Sequence, residues 1–237
     1  MGTLYSTCPQ TGKSHESRSL RRTMSVTEVI DLFGRPLKDL RISVTDRCNF
    51  RCRYCMPRER FDENHTFLPK RAFLSFDEIE KVVRSCIPLG LEKVRITGGE
   101  PLLRKDLPEL IEKLSKLDID IALTTNASLL KKNAKALHLA GLNRVTVSLD
   151  ALDPELHKQM SDSNISVDSV LEGIDEAVRV GLFPVKINCV VQRGVNEEEV
   201  SKLVNHFRGT GIVVRFIEYM DVCLLYTSPS PRDNSGS

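Results

Sequence analysis

Leu40-Arg41-Ile42-Ser43-Val44-Thr45-Asp46-Arg47-Cys48-Asn49-Phe50-Arg51-Cys52-Arg53-Tyr54-Cys55 joins a short β-branched run to a loop that holds three cysteines. The run Arg41–Thr45 is expected as a strand, because β-branched side chains suit a pleated, packed surface. The cysteines then stand just beyond its carboxyl end, separated by three residues and then by two.

Reading outward, five more strands are expected: Lys93–Thr97, Ile119–Thr124, Arg144–Leu149, Val185–Val191 and Val213–Ile217. All six read as apolar runs, as in strands of a parallel sheet buried on both faces. Stretches of helical apolar spacing fill the gaps at Phe76–Leu89, Leu107–Leu117, Leu130–Ala140, Val167–Val180 and Glu197–Phe207. Ser75 with Glu78 forms a capping box ahead of the first, and Gly90, Gly141 and Gly181 follow three of them as stop signals. Repeated β/α units of this kind give an α/β fold, a partial (β/α)6 barrel related to the TIM barrel, with its active face at the carboxyl ends of the strands. Those ends carry Thr45-Asp46-Arg47, Thr97-Gly98-Gly99-Glu100, Thr124-Thr125-Asn126, Ser148-Leu149-Asp150 and Glu218-Tyr219-Met220, so polar chemistry converges on one mouth.

The balance of 34 Lys and Arg against 32 Asp and Glu leaves a formal charge of +2, which offers no broad footprint for nucleic acid. No apolar run approaches the roughly 20 residues of a membrane span, so neither nucleic acid nor membrane is expected as a partner. Residues 1–35 are polar and aperiodic and are expected to be a disordered leader; residues 36–221 form the barrel, and 222–237 a tail foreign to it in style. Met1-Gly2 with Ser6 fits a myristoylation pattern, and Arg18, Arg21 and Arg22 among serines fit a transit peptide. A solvated tail is the simpler reading of both. The expected location is the cytoplasm, or the mitochondrial matrix if the leader is a transit peptide.

Seven cysteines with three crowded into residues 48–55 argue against a disulfide framework and for metal chemistry, since thiolates are soft ligands. Three thiolates on a four-iron cluster leave one iron open, as a catalytic site requires, whereas a structural zinc needs a fourth ligand. Gly98-Gly99 lets backbone approach a ligand closely; alone it reads more readily as an ordinary strand-to-helix turn, and beside the cysteines as a backbone cradle for a cofactor. Cys86 and Cys189 are expected in the core, and His138 and His157 as surface residues on helices.

The spacing Cys48-x-x-x-Cys52-x-Tyr54-Cys55 resembles the signature of the radical S-adenosylmethionine (SAM) enzymes. More narrowly, residues 40–48, Arg95-Ile96-Thr97-Gly98-Gly99-Glu100-Pro101-Leu102, Val147-Ser148-Leu149-Asp150 and Arg215-Phe216-Ile217-Glu218-Tyr219-Met220 are similar to the GTP 3′,8-cyclases of molybdenum-cofactor biosynthesis. That resemblance implies a [4Fe-4S] cluster on Cys48, Cys52 and Cys55, whose open iron takes SAM. It implies a 5′-deoxyadenosyl radical that removes the 3′ hydrogen of GTP before ring closure at C8. It places Tyr54, Gly99, Ser148 and Met220 on SAM, and Arg41, Arg95, Thr124 and Lys186 on GTP. Arg forks suit phosphate oxygens, but an ion pair at the barrel end explains Arg41 and Arg95 equally well.

The resemblance implies further partners: a reductant, flavodoxin-like or another electron donor, a downstream cyclic pyranopterin monophosphate synthase, and a homodimer. Two departures stand out. Ala127 replaces a glycine in Thr-Thr-Asn-Gly, and the second cysteine cluster and Gly-Gly terminus of such enzymes are missing. A C-terminally truncated chain, incompetent for full turnover, is therefore expected. The competing readings are another radical SAM enzyme, such as a peptide-modifying one, and a non-catalytic iron–sulfur or zinc module.

Overall fold

The computed structural model describes residues 29–220. Expectations placed on residues 1–28 and 221–237 lie outside the described residues. Residues 29–35, assigned on sequence to a disordered leader, instead close a turn, bridged by Ile30 and Pro36. Asp31 nucleates it: its carboxylate accepts from the Phe33 and Arg35 amides at 2.8 and 3.0 Å and from Arg35 Nε at 2.9 Å.

Six strands, β1 (Asp39–Ser43), β2 (Lys93–Thr97), β3 (Asp120–Thr125), β4 (Arg144–Ser148), β5 (Lys186–Val191) and β6 (Val213–Glu218), form one sheet in chain order. Every neighbouring pair is parallel. Sequential order with right-handed crossovers puts all the connecting helices on one face, the arrangement of a partial (β/α)6 barrel. The helices are α1 (Phe76–Cys86), α2 (Leu107–Ser115), α3 (Leu130–Leu139), α4 (Pro154–Ser161), α5 (Val167–Arg179) and α6 (Glu199–Phe207). The capping box of Ser75 and Glu78 starts α1 as expected. The helix stops three residues before the expected Leu89 because Pro88 has no amide to donate; Ile87–Leu89 tightens into a 3-10 turn ending at Gly90. Helix α4 has no counterpart in the expected elements. It is short, but Asp153 caps it by accepting from Leu156 N at 2.9 Å, and Pro154 fits its first turn.

The core lies between sheet and helices. Val94, Ile96, Ile121, Leu123, Val145, Val147 and Ile187 on the strands are fully buried with Val83, Leu110, Leu114, Leu130, Leu137 and Ile174 from the helices. Each such side chain contributes about 1.5–3 kcal/mol by leaving water.

The expectation that the strands are apolar on both faces is corrected here. The residues alternating with the core run Asp39, Arg41, Ser43 on β1; Lys93, Arg95, Thr97 on β2; Arg144, Thr146, Ser148 on β4; and Lys186, Asn188 on β5. Register aligns Arg41 with Arg95, Arg95 with Ala122 and Ala122 with Arg144, so like-facing residues form rows across the sheet. The physical reason is the open curve: six strands do not close a barrel whose interior side chains fill, so the inner face stays wet and polar.

Candidate active site

The cysteine loop is strapped to the rim of β2 by backbone. Val44 N donates to Thr97 O at 2.9 Å, Gly99 N to Thr45 O at 2.8 Å, and Glu100 N to Arg47 O at 2.7 Å. This approach needs glycine. A Cβ on Gly98 would sit 2.6 Å from Thr45 O, and one on Gly99 would strike the Arg47 carbonyl and lie 2.9 Å from Cys48 N. Arg51 braces the loop from within, giving Nη1 to Cys48 O at 2.7 Å and Phe50 O at 2.9 Å, and Nε to Phe61 O at 3.0 Å. Its amide reaches Ser161 O on α4 at 2.8 Å.

Glu100 ties the neighbouring rims together. Wholly buried, it accepts from Thr125 Oγ1 at 2.7 Å, Asn126 N at 2.8 Å and Leu102 N at 3.0 Å. Burial still raises its pKa, although all three bonds oppose that. Asn126 Nδ2 donates to Asn49 Oδ1 at 2.9 Å and points at Cys48 Sγ, 3.9 Å away; Phe50 N reaches the same sulfur at 3.4 Å. On the opposite side Tyr54 OH donates to Asp150 Oδ2 at 2.9 Å. Burial lifts the Asp150 carboxyl to about 6.

These walls enclose a cavity of about 240 Å³ lined by Cys48, Cys52 and Cys55. Burial pushes the Cys48 thiol up to about 11. A hydrogen bond between Cys52 and Cys55 holds the first thiol up and lowers the second. Buried thiolates of this kind need compensating cations, which a bound iron cluster provides. Among the described residues no group of three or more His, Cys, Asp or Glu is placed to hold a single metal ion. Three thiols lining one cavity are a soft donor set that fits an iron–sulfur cluster.

Below the cavity the inner face is cationic. Lys93 and Arg144 share Asp120 at 3.5 and 2.7 Å, and Arg95 pairs with Asp39 at 2.9 Å. Lys186 is lowered by burial and by the crowd of Arg215, Arg144, Lys93 and Arg95. Arg215 Nε and its register partner's Asn188 Oδ1 are buried without a hydrogen-bond partner among the described residues. An orphaned buried donor beside surplus cations is a site shaped for an anion.

Residues 42–207, more than half of the chain, match the Radical SAM superfamily. The chain belongs to it. Among curated relatives, GTP 3′,8-cyclase of Acidothermus cellulolyticus is 56% identical over 194 residues, covering 81% of this chain and 54% of the relative. The GTP 3′,8-cyclase of Staphylococcus carnosus is 53% identical over 199 residues, covering 83% and 58%. The chain thus spans somewhat over half the length of these relatives. Among solved structures, SuiB of Streptococcus suis bound to S-adenosylmethionine superposes with a TM-score of 0.66 at 23% identity, over 79% of this chain and 42% of that one. Methylornithine synthase gives 0.60 at 18% identity, over 78% and 54%. These confirm the fold.

Radical SAM enzymes use a [4Fe-4S] cluster and SAM. In this radical SAM core the cavity gathers the three cysteines with Tyr54, Gly99, Ser148, Arg41 and Thr124. It does not gather Arg95 and Lys186, which lie on the inner face, or Met220, which is half-exposed beyond the end of β6. Glu100, Asn126 and Asp150, polar residues at the strand ends whose sequence implies no role, organise the cavity. Lys93, Arg144 and Arg215 join the inner face; for Lys93 and Arg144 the signal is their alternation with the buried Val94 and Val145, whereas β6 shows no such alternation. The expectation of a surface His157 is corrected: it is 4% exposed, its ring edge faces Phe50 at 6.0 Å, and at the cavity wall its Nε2 has no hydrogen-bond partner among the described residues. It does lie on a helix, α4, but that helix turns it inward against Phe50 instead of outward to solvent. His138 is exposed and Cys189 buried, as expected, while Cys86 packs half-buried against the core.

Proposed function

We propose that this chain carries the radical SAM core of a GTP 3′,8-cyclase, which converts GTP to (8S)-3′,8-cyclo-7,8-dihydroguanosine 5′-triphosphate in molybdenum-cofactor biosynthesis. The observation that carries this reading is the cationic inner face directly under the cysteine cavity, where a triphosphate meets fixed positive charge while its sugar approaches the cavity. Identity above 50% to enzymes of that name supports it.

Cys48, Cys52 and Cys55 would hold the cluster, which with SAM supplies one-electron chemistry when bound. Tyr54, Gly99, Ser148 and Met220 then position SAM. Arg41, Arg95, Thr124 and Lys186 hold GTP, with Arg215 and Lys93 beside them. The buried Glu100 network keeps the rim rigid, so that the reacting sugar is held at fixed distance and water is kept from the cavity. A flavodoxin-like electron donor, a downstream cyclic pyranopterin monophosphate synthase and a homodimer complete the proposal, with the cytoplasm or the mitochondrial matrix as its place.

The test is isotopic. With the protein reconstituted anaerobically, reduced, and given SAM and GTP deuterated at the ribose 3′ carbon, 5′-deoxyadenosine should carry deuterium. Unlabelled 5′-deoxyadenosine would keep the radical SAM chemistry and reject GTP as its substrate.

A further inference from the structure

The two halves of the cysteine loop are held very differently. Around Cys48 the Gly99 and Glu100 amides, the Arg51 fork and the Asn126 amide all fasten the chain. From Cys52 to Pro57, among the described residues, the one hydrogen bond that leaves the loop for the barrel is the Tyr54 hydroxyl to Asp150, across 96 residues of sequence. Cys52 and Cys55 flank that tyrosine.

Asp150 is itself fixed. Its second oxygen accepts from Val190 N on β5 at 2.8 Å. Its backbone carbonyl accepts from Asn196 Nδ2 at 2.9 Å, and that amide also reaches Val190 O at 2.9 Å. The Asn196 carbonyl oxygen accepts from Gln192 N at 2.8 Å, which sets the amide's orientation. Asn196 is 1% exposed, so this frame is dry and each bond in it is expensive to break. A carboxylate with both oxygens engaged and its backbone clamped is a rigid anchor.

We propose that Asp150 is a positioning residue, which sets the Cys52 and Cys55 half of the metal-binding loop through the Tyr54 hydroxyl. The inference rests on the reading of the three cysteines as cluster ligands. It predicts that ring and carboxylate act as one unit. Tyr54→Phe removes the tether but keeps the ring and the bond from Val190 N to Asp150. Asp150→Ala removes both. Asp150→Asn retains the tether with its direction reversed, because the amide nitrogen donates to the tyrosine oxygen while the amide oxygen still accepts from Val190.

The experiment follows iron release from anaerobically reconstituted protein to a ferrous chelator, and alkylation of Cys52 and Cys55 by iodoacetamide in iron-free protein, with Cys86 as internal reference. Tyr54→Phe and Asp150→Ala should each accelerate iron release and alkylation severalfold. The double variant should be no faster than the faster single variant, and Asp150→Asn should fall near the parent. A Tyr54→Phe variant indistinguishable from the parent in both assays, or a double variant whose effects multiply, overturns the proposal. A parent that takes up no iron rejects the cluster reading instead, and the alkylation rates then decide on the tether alone.

Discussion

Arg95 leans across the β1–β2 register onto Asp39, with Nε 3.0 Å and Nη2 2.9 Å from the same carboxylate oxygen. Both side chains are more than a third exposed, and such pairs contribute only ~0–1 kcal/mol to stability. The pair is therefore a poor reason for an arginine here, and a good resting state for one that trades a carboxylate for a phosphate. Arg95→Ala should cost less than about 1 kcal/mol of stability yet weaken GTP binding by about tenfold or more, as for one charged bidentate contact. SAM binding should stay nearly intact, and Asp39→Asn should tighten GTP binding. Equilibrium titrations with each ligand check this; equal losses for both ligands would make the guanidinium structural.

Gly99→Ala tests the strap between β2 and the cysteine loop. The new methyl would lie 2.5 Å from Arg47 C and 2.9 Å from Cys48 N, and both are backbone that cannot swing aside. Iron per chain after anaerobic reconstitution should drop to a small fraction of the parent while the far-ultraviolet circular dichroism is kept. Full iron content would show that the loop accommodates a side chain.

Glu199 predicts an acid limb. Burial works to raise its pKa, but Lys202 and the Leu152 and Asp153 amides outweigh that and leave it lowered. A lowered folded pKa gives stability that is present above the unfolded value, about 4.3, and lost as pH falls through the folded one. Glu199→Gln should thus be less stable than the parent at neutral pH, with the gap narrowing as pH falls below about 4.5. Denaturant titrations across pH measure it, and a gap independent of pH would contradict it.

His157 predicts a gain. Its Nε2 is buried without a hydrogen-bond partner among the described residues, a condition that costs about 1–3 kcal/mol. Burial also lowers its pKa, so protonation on the acid side favours the unfolded chain. His157→Phe keeps an aromatic ring against Phe50 and should stabilise the metal-free protein by about 1 kcal/mol. The gain should widen as pH falls through about 6.5. A less stable variant would mean that the lost bond from the ring to the Ile165 backbone outweighs relief of the orphaned Nε2.

Much of this architecture was legible in the residues. Lys93–Thr97 was placed to the residue, and the Ser75 capping box fixed the start of α1, because local propensity and capping agree with the fold there. The cysteine spacing and the Gly98-Gly99 turn located the cavity. What escaped was tertiary or masked by averaging. Lys93-Val94-Arg95-Ile96-Thr97 alternates polar and apolar, yet reading it as an apolar run hid the cationic inner face. No local pattern announces that Tyr54 meets Asp150, since only the curvature of the sheet brings β4 to the loop after β1. Helix α4 was short enough for periodicity to fail, and with it went the inward turn of His157. Ala127, flagged for replacing a glycine, does take positive φ, at 60°. Its left-handed backbone costs about 1–2 kcal/mol, largely offset by the buried methyl and by the entropy that glycine would lose.

On the proposed reading, the Cys48, Cys52 and Cys55 thiolates hold four irons and leave one of them free for SAM. Mössbauer spectra of protein reconstituted with iron-57, recorded before and after SAM is added, address it most directly. The expected result is a [4Fe-4S] spectrum in which one iron in four changes its parameters on adding SAM, while the other three do not. Four equivalent irons that ignore SAM, or a loop that takes up zinc and no iron cluster, would contradict it.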